Sequence, residues 1–352
     1  QKQASLCYKK LNMSKKNSNV NLKKGFKDFD DINTVYQKFK NKINNLKRKN
    51  FVLAISGGPD SLALAALSKV YSYEKKLKFY YVLVDHKLRK NSSKEAVQAK
   101  KLLKKKNIAL RILTNKSTID KNIQAQARIM RYTLLKNFCK KHKIKTILTA
   151  HNFEDQVETF LIRLSRGSGL KGLSGMKPLS NIDKKIQLYR PLLDINKKLL
   201  IRISKNVFGK FLKDPSNNNS KYLRTKIRNL KKYLINSGIH YEQITKSINN
   251  LSSSHDTLEK YYQTTFNNIV KKHKRETLID LKKFHLLNNE IKIKIINDSV
   301  KTLKNNYYNP RAKKVINLLN HFRTQNFTAR TLGGCVFFKK ADKLCLKLEK
   351  KT

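Results

Sequence analysis

Apolar positions in the first half of the chain fall into short runs separated by longer stretches of helical spacing. Phe51, Val52, Leu53 and Ile55 form a β-rich run that stops at Ser56-Gly57-Gly58; Pro59-Asp60-Ser61 follows, then a run of Leu and Ala. This reads as a buried strand, a glycine turn and a helix start. Before it, Ile32, Val35, Tyr36, Phe39, Ile43 and Leu46 mark a short helix over residues 31–49. After it, strand-like segments recur at Phe79–Asp85, Ile108–Leu113 and Ile144–Ala150, with helical segments at Ser93–Lys105 and Asn122–Lys141 between them. Such alternation predicts an α/β fold, a parallel Rossmann-like sheet with helices on both faces. Beyond Asn229 the spacing becomes helical (Ile239–Val270, Leu286–Leu303). A last unit follows the Pro310-Arg311 turn, with a helix over Lys313–Phe322 and short strands at Thr328–Phe338 and Lys343–Leu348 around Gly333-Gly334. The expected division is a basic mobile tail (1–30), an α/β domain (31–228), a helical domain (229–304) and a small α+β C-terminal domain (305–352).

The first strand–turn–helix unit carries the clearest chemistry. Gly57 and Gly58 allow close backbone approach, and Pro59 suits the first helical turn, where its missing N–H costs nothing. The N–H groups at such a turn make a phosphate cradle. A Walker loop would need a Lys before Ser/Thr, and a dinucleotide loop a G-x-G-x-x-G spacing; neither is present. Sheets of this type bind ligands beyond the C-terminal ends of their strands. Ser56–Ser61, Asp85-His86 and His151 all lie at such ends and are expected to converge. Asp85 and His86 fit an adenosine contact or a solvated loop equally well. Gln124, Arg128 and Arg131 share one helical face, suited to clamping phosphate or carboxylate, or to facing water.

The stretch His151–Met176 is the second dense region. His151, Asp155 and Glu158 fall at i, i+4 and i+7 of an expected helix. Beside a phosphate cradle, its acids suit Mg²⁺, a cationic substrate, or a simple capped helix start. Six of the chain's eleven glycines lie in the first loop and in Gly167, Gly169, Gly172 and Gly175, which predicts a flexible second loop.

Composition sharpens the picture. Lys and Arg number 79 against 23 Asp and Glu, a formal charge of +56, which points to a polyanionic partner such as RNA or DNA, with compositional drift contributing. The four cysteines, Cys7, Cys139, Cys335 and Cys345, have no C-x-x-C spacing, so a zinc or iron–sulfur site is not expected, and scattered thiols suit a cytoplasmic protein. No run approaches a membrane span, and residues 1–27 are basic and acid-free, without an apolar signal core.

Taken together, SGGPDS, VDHKLR, QARIMRY, TAHNFEDQVETFLIRLSRGSGLKGLSGM, YRPLL (Tyr189–Leu193) and DPSNNNSKYLRTKIR (Asp214–Arg228) resemble, in order, the motifs of the tRNA(Ile)-lysidine synthase family of PP-loop ATPases. The resemblance covers roughly Phe51 to Arg228. Lys87 stands where the family often has Gly, and Thr225 where it often has Asn. The resemblance implies that ATP adenylylates C2 of the wobble cytidine in a tRNA(Ile) with a CAU anticodon. Free L-lysine then displaces AMP, giving lysidine and changing decoding from AUG to AUA. It implies ATP contacts at Ser56, Gly57, Gly58, Pro59, Asp60, Ser61, Asp85, His86, Arg128 and His151. Asp60, Arg131, Asp155 and Glu158 are the implied catalytic residues, with Mg²⁺ at Asp60 and Asp155. Arg224 and Arg228 are implied contacts to tRNA or the α-phosphate, and the helical and C-terminal parts are implied to grip tRNA. The oligomeric state, a homodimer included, stays open. A sulfur-inserting PP-loop enzyme is the alternative within the group, although this chain lacks the cysteine pairs it needs. A non-catalytic RNA-binding protein is the alternative outside it.

Overall fold

The structure is a computed structural model that describes residues 26, 29–88, 91–115, 123–212, 222–273, 275–304, 312–322 and 328–349. Most of the expected basic tail, Arg89, residues 214–221 of the last motif and the Pro310-Arg311 turn lie outside these. The chain divides into two compact units, residues 1–252 and 253–352.

In the first unit, helix α1 (Asp30–Asn45) precedes β1 (Asn50–Ile55), α2 (Pro59–Glu74), β2 (Lys78–Asp85), α3 (Ser92–Lys104), β3 (Leu110–Thr114) and α4 (Ile123–Lys141). Then come β4 (Thr146–Leu148), α5 (Phe153–Leu164), α6 (Leu170–Leu173), β5 (Leu179–Asn181), β6 (Gln187–Tyr189) and α7 (Lys197–Phe208). Two short helices, α8 (Leu223–Asn229) and α9 (Lys231–Asn236), lead into α10 (Tyr241–Ile269), within which the division between the units falls.

The sheet order is β3-β2-β1-β4-β6-β5, with every pair parallel except β5–β6. The apolar run at Phe51–Ile55 is explained by burial on both faces, as parallel strands require. Phe51, Leu53 and Ile55 enter a core with α1, α2, α3 and α7, while Val52 faces Leu135, Phe138 and Cys139 of α4 on the opposite side. Helix α2 is buried all round, with Leu62 to Leu67 fully enclosed, and α7 packs against it. The chain leaves β1 toward β2 and β3, then returns to place β4 on the other side of β1. The loops after β1 and β4 therefore face each other at the point where strand order reverses, where sheets of this kind bind ligands. Helix α10 closes the unit by burying Tyr241, Ile244 and Ile248 against Val157 of α5.

In the second unit, β7 (Val270–Lys272), β8 (Glu276–Asp280), α11 (Leu281–His285), α12 (Asn289–Leu303), α13 (Ala312–His321), β9 (Arg330–Leu332), β10 (Cys335–Lys340) and β11 (Lys343–Leu348) form one core with the end of α10. Its antiparallel sheet runs β7-β8-β11-β10-β9. The expected boundary at 304/305 does not separate compact bodies, because β8 pairs with β11 and brings residues 270–280 into the same sheet as 330–348. The strands β7 and β8 were not expected, since the Lys-rich stretch around them hides the alternation of buried Thr277 and Ile279. Among the described residues, no helix is long and apolar enough to cross a membrane.

Candidate active site

The loop after β1 is built around one hydroxyl. Ser61 Oγ donates to Gly58 O at 3.0 Å and accepts from both the N–H and the Oγ of Ser56 at 3.1 Å. Gly57 takes φ +83, and its carbonyl accepts the Leu212 N–H at 3.0 Å. A Cβ at Gly57 would come within 2.8 Å of Leu212 Cδ1, so side chains are excluded for two reasons. Gly58 caps α2 without any side-chain hydrogen bond, which leaves the helix N-terminus open to an anion.

Asp60 lies in the first turn of α2. Its Oδ1 is buried without a hydrogen-bond partner, as is Asn152 Nδ2. Burial pushes the Asp60 carboxyl up to about 6; Lys197 opposes the rise, Asp155 adds to it, and the neighbouring Asn152 amide and Arg228 oppose it. A buried carboxylate oxygen with no partner is costly, and a cation is the natural group to satisfy it.

The loop after β2 is arranged differently from a pair of free ligand contacts. Asp85 turns into its own loop, accepting from Ser93 Oγ at 2.6 Å and Lys87 N–H at 3.0 Å. Burial opposes its ionisation, yet these hydrogen bonds hold it below the ordinary carboxylate range. Lys87 takes φ +53, the conformation glycine adopts freely, so the turn is formed despite the side chain. His86 Nε2 accepts from Arg131 Nε at 3.2 Å, and its Nδ1 is buried without a partner. Burial and the Arg131 charge push His86 down to about 4, so the ring is neutral. Arg128 and Arg131, expected to act together, serve different neighbours: Arg128 lies 5.1 Å from the Tyr132 ring centroid. Nothing is described of the Gln124 side chain.

His151 is not on the helical face with Asp155 and Glu158. It precedes the helix, because Asn152 is the N-cap of α5. Its Nδ1 meets Thr149 Oγ1 at 2.9 Å. Burial pushes His151 down to about 4 against the pull of Asp155, with Arg190, Arg128 and Arg224 reinforcing the fall. Asp155 completes a capping box: Asn152 Oδ1 accepts the Asp155 N–H at 3.0 Å, and Asp155 Oδ2 accepts the Asn152 N–H at 3.1 Å. The capped acidic helix start is thus real, but it occupies only one of the Asp155 oxygens; Oδ1 lies 3.9 Å from Arg228 Nη2.

Glu158 is buried and held by two arginines from α8. Arg228 Nε reaches Oε1 at 2.6 Å and Nη2 reaches Oε2 at 3.1 Å, while Arg224 Nε also lies 3.1 Å from Oε2. Arg224 and Arg228, expected to contact tRNA or phosphate, are therefore committed in part to Glu158, and both oxygens of Glu158 are held by guanidinium groups. Sequence reasoning missed three further contacts of α5. Glu154 accepts the Lys197 N–H at 2.8 Å, tying α5 to the start of α7. Gln156 clasps both backbone groups of Met176, at 2.7 and 2.8 Å. Arg163 donates to the carbonyls of Gly172 and Gly175 at 2.7 and 3.0 Å. The second glycine loop is pinned at these points rather than free along its length.

Residues 32–233 match the PP-loop domain family, an ATP-binding domain. Over 317 residues the chain is 34% identical to the tRNA(Ile)-lysidine synthase of Wolbachia pipientis wMel, a match covering 88% of this chain and 73% of that protein. It is 31% identical over 324 residues to the tRNA(Ile)-lysidine synthase of Rickettsia typhi, covering 89% and 73%. The chain belongs to the tRNA(Ile)-lysidine synthase family. The fold of this family member is similar to that of the U34-tRNA thiolase NcsA of Methanococcus maripaludis, at TM-score 0.53 and 18% identity, covering 63% of this chain and 79% of that one. That thiolase carries a [4Fe-4S] cluster. Here Cys139, Cys335 and Cys345 are free and buried, and no three His, Cys, Asp or Glu side chains gather as metal ligands among the described residues. Because the relatives that cover most of the chain are tRNA(Ile)-lysidine synthases, the sulfur-inserting alternative is not favoured.

Proposed function

We propose that the chain makes lysidine in two steps at this switch-point crevice. The C2 oxygen of the wobble cytidine in tRNA(Ile) attacks the α-phosphate of ATP and pyrophosphate leaves. The ε-amine of free L-lysine then attacks C2, and the C2–O bond breaks to release AMP. The observation that carries this reading, within a family of this name, is the open glycine cradle beside the half-buried acids Asp60 and Asp155.

In this reading the N–H groups of Ser56–Ser61 hold the departing pyrophosphate. Asp60 Oδ1, which accepts no hydrogen bond within the protein, and Asp155 Oδ1, 3.9 Å from Arg228 Nη2, fit Mg²⁺, which takes one or two carboxylates together with substrate phosphates. When bound, Mg²⁺ would neutralise charge on the phosphates. Asp85 and His86 shape the adenosine side through the Ser93 and Arg131 contacts. Arg128 and Arg131 offset charge on the α-phosphate or AMP. Lysine reaches the site with an ordinary pKa near 10.4 and must lose a proton. Glu158, with both oxygens held by guanidinium groups, positions Arg224 and Arg228 rather than taking that proton. The second unit and its Lys-rich surface supply part of the grip on tRNA.

The test is incubation with tRNA(Ile) bearing a CAU anticodon, ATP and labelled lysine, with pyrophosphate, AMP and modified nucleoside measured separately. Label should enter one nucleoside at the wobble position, and pyrophosphate release should require tRNA but not lysine. Absence of both would overturn the reading in favour of a non-catalytic RNA-binding protein.

A further inference from the structure

A cavity of about 420 Å³ lies between α4 and the β5–β6 edge of the sheet, lined among others by Arg128, Tyr132, Lys136, Ser180, Leu188 and Arg190. No acidic residue lines it. Arg190 is 8% exposed, and its Nη1 is braced on Lys177 O at 2.7 Å and Ser180 Oγ at 3.0 Å, while its Nε has no partner. Burial disfavours its charge; Tyr132 favours it, and Arg128 and Arg163 repel it. Among the described residues, no ion pair joins Arg128, Arg163 or Arg190 to a carboxylate. A protein that buries a guanidinium beside like charges, without a counter-ion of its own, is built for an anion supplied from outside.

The position of the cavity decides which anion. The phosphate cradle follows β1, and Arg190 follows β6, two strands away, or roughly 10 Å at the usual strand spacing. A phosphate in this cavity is therefore not one held by the cradle. The far side of β1 carries Asp85 and His86, so the cavity lies on the acceptor's side. The Tyr132 ring and the apolar Ile129 and Leu188 beside the cations match a nucleotide, with a base to stack and a phosphate to pair.

We propose that this cavity is an RNA phosphate subsite, in which Arg190 and Lys136 hold a phosphodiester adjoining the reacting nucleotide and Tyr132 supports a base. The assignment rests on the reading of the chain as a tRNA-modifying ligase. It makes Arg190 a binding residue for the acceptor, not for ATP or lysine.

The test uses the full chain with Arg190→Met and, because loss of a buried arginine can disturb folding, Lys136→Glu, which brings a carboxylate to the cavity from the surface of α4. KM values for tRNA, ATP and lysine are measured, together with binding of an anticodon stem-loop RNA over a salt series. The expected result is a KM for tRNA raised by about tenfold or more in both variants. The slope of log affinity against log salt should fall by about one, with KM for ATP and lysine within about twofold of wild type. An elevated KM for ATP would assign the cavity to the nucleotide cosubstrate, an elevated KM for lysine to the amino-acid carboxylate, and either overturns the proposal. So does unchanged stem-loop binding by folded Lys136→Glu. If wild-type protein releases no pyrophosphate, the ligase reading fails, and the stem-loop titration alone decides the subsite.

Discussion

Asp60 should weaken the fold that carries it, and the loss can be sized. Its carboxyl has an ordinary pKa of 3.8 and is pushed up to about 6 in the folded chain, chiefly by burial. A carboxyl whose folded pKa is raised holds its proton more tightly in the folded state, so stability falls as pH rises between the two values. Below about pH 4 both states are protonated and the penalty is absent; above about pH 6 it is complete. At 1.36 kcal/mol per pKa unit, the penalty is on the order of 3 kcal/mol, an upper bound because water and ions soften it. Asp60→Asn removes the titrating charge while keeping the shape. In metal-free, nucleotide-free buffer at pH 8 the variant should melt several degrees above wild type, given about 2–4 °C per kcal/mol for a body of this size. The gain should shrink through pH 6 and vanish near pH 4. The same variant should lose tRNA-dependent pyrophosphate release. Thermal unfolding of both proteins across this pH range decides the matter. An Asp60→Asn protein that melts at or below wild type at pH 8 would show that the carboxylate is satisfied in the fold, and the argument for a cation there would go with it.

Glu158→Ala should cost about 2–4 kcal/mol, because it strands two arginines around a buried hole, and calorimetry should show that loss even without substrates; a wild-type melting temperature would leave the clamp without a structural role. Lys87→Gly should stabilise the fold by about 0.5–1 kcal/mol, by relieving a left-handed residue, and should leave KM for ATP unchanged in steady-state assays. Affinity for tRNA should fall steeply with salt, and removal of residues 253–352 should flatten that dependence when filter binding is repeated over a salt series. The truncation belongs there rather than at residue 230, because Tyr241, Ile244 and Ile248 pack on α5 within the first unit.

The parts of the site legible from sequence were those that local pattern determines. The cradle could be read because a buried strand, two glycines and a proline fix one backbone geometry, and Gly57 at φ +83 adopts the conformation such a turn demands. The helix start at Asp155 was also readable, as a carboxylate three residues after Asn152. What could not be read were partnerships made across the fold. The Glu158–Arg228 pair spans 70 positions, and nothing in either segment's periodicity announces it. Extending helical spacing back to His151 ignored the cap at Asn152, which breaks the register. Arg190 lay in a recognised motif, but its burial follows from the antiparallel return of β5 beside β6, a tertiary feature. Glycine content speaks to what the backbone of the second loop can do, while Gln156 and Arg163 set what it does.

Helix α5 therefore explains why acids so rare in this chain collect at one place. From one short helix, Glu154 reaches the start of α7, Asp155 closes the cap and faces Asp60, Gln156 and Arg163 hold the loop at 172–176, and Glu158 anchors α8. With +56 of net charge, segments from different parts of the chain repel one another, and a buried carboxylate is the most direct way to bring two arginines of α8 beside a third element. Of the four acids carried by α5 and the first turn of α2, Glu154 and Glu158 are consumed by that assembly. The remaining pair, Asp60 and one oxygen of Asp155, is left facing the cradle, where carboxylates without a cation beside bound phosphates would be repelled. The division follows from the hydrogen bonds: the acids that hold the site together are those whose oxygens are filled by the protein, and the acids available for chemistry are those whose oxygens are not.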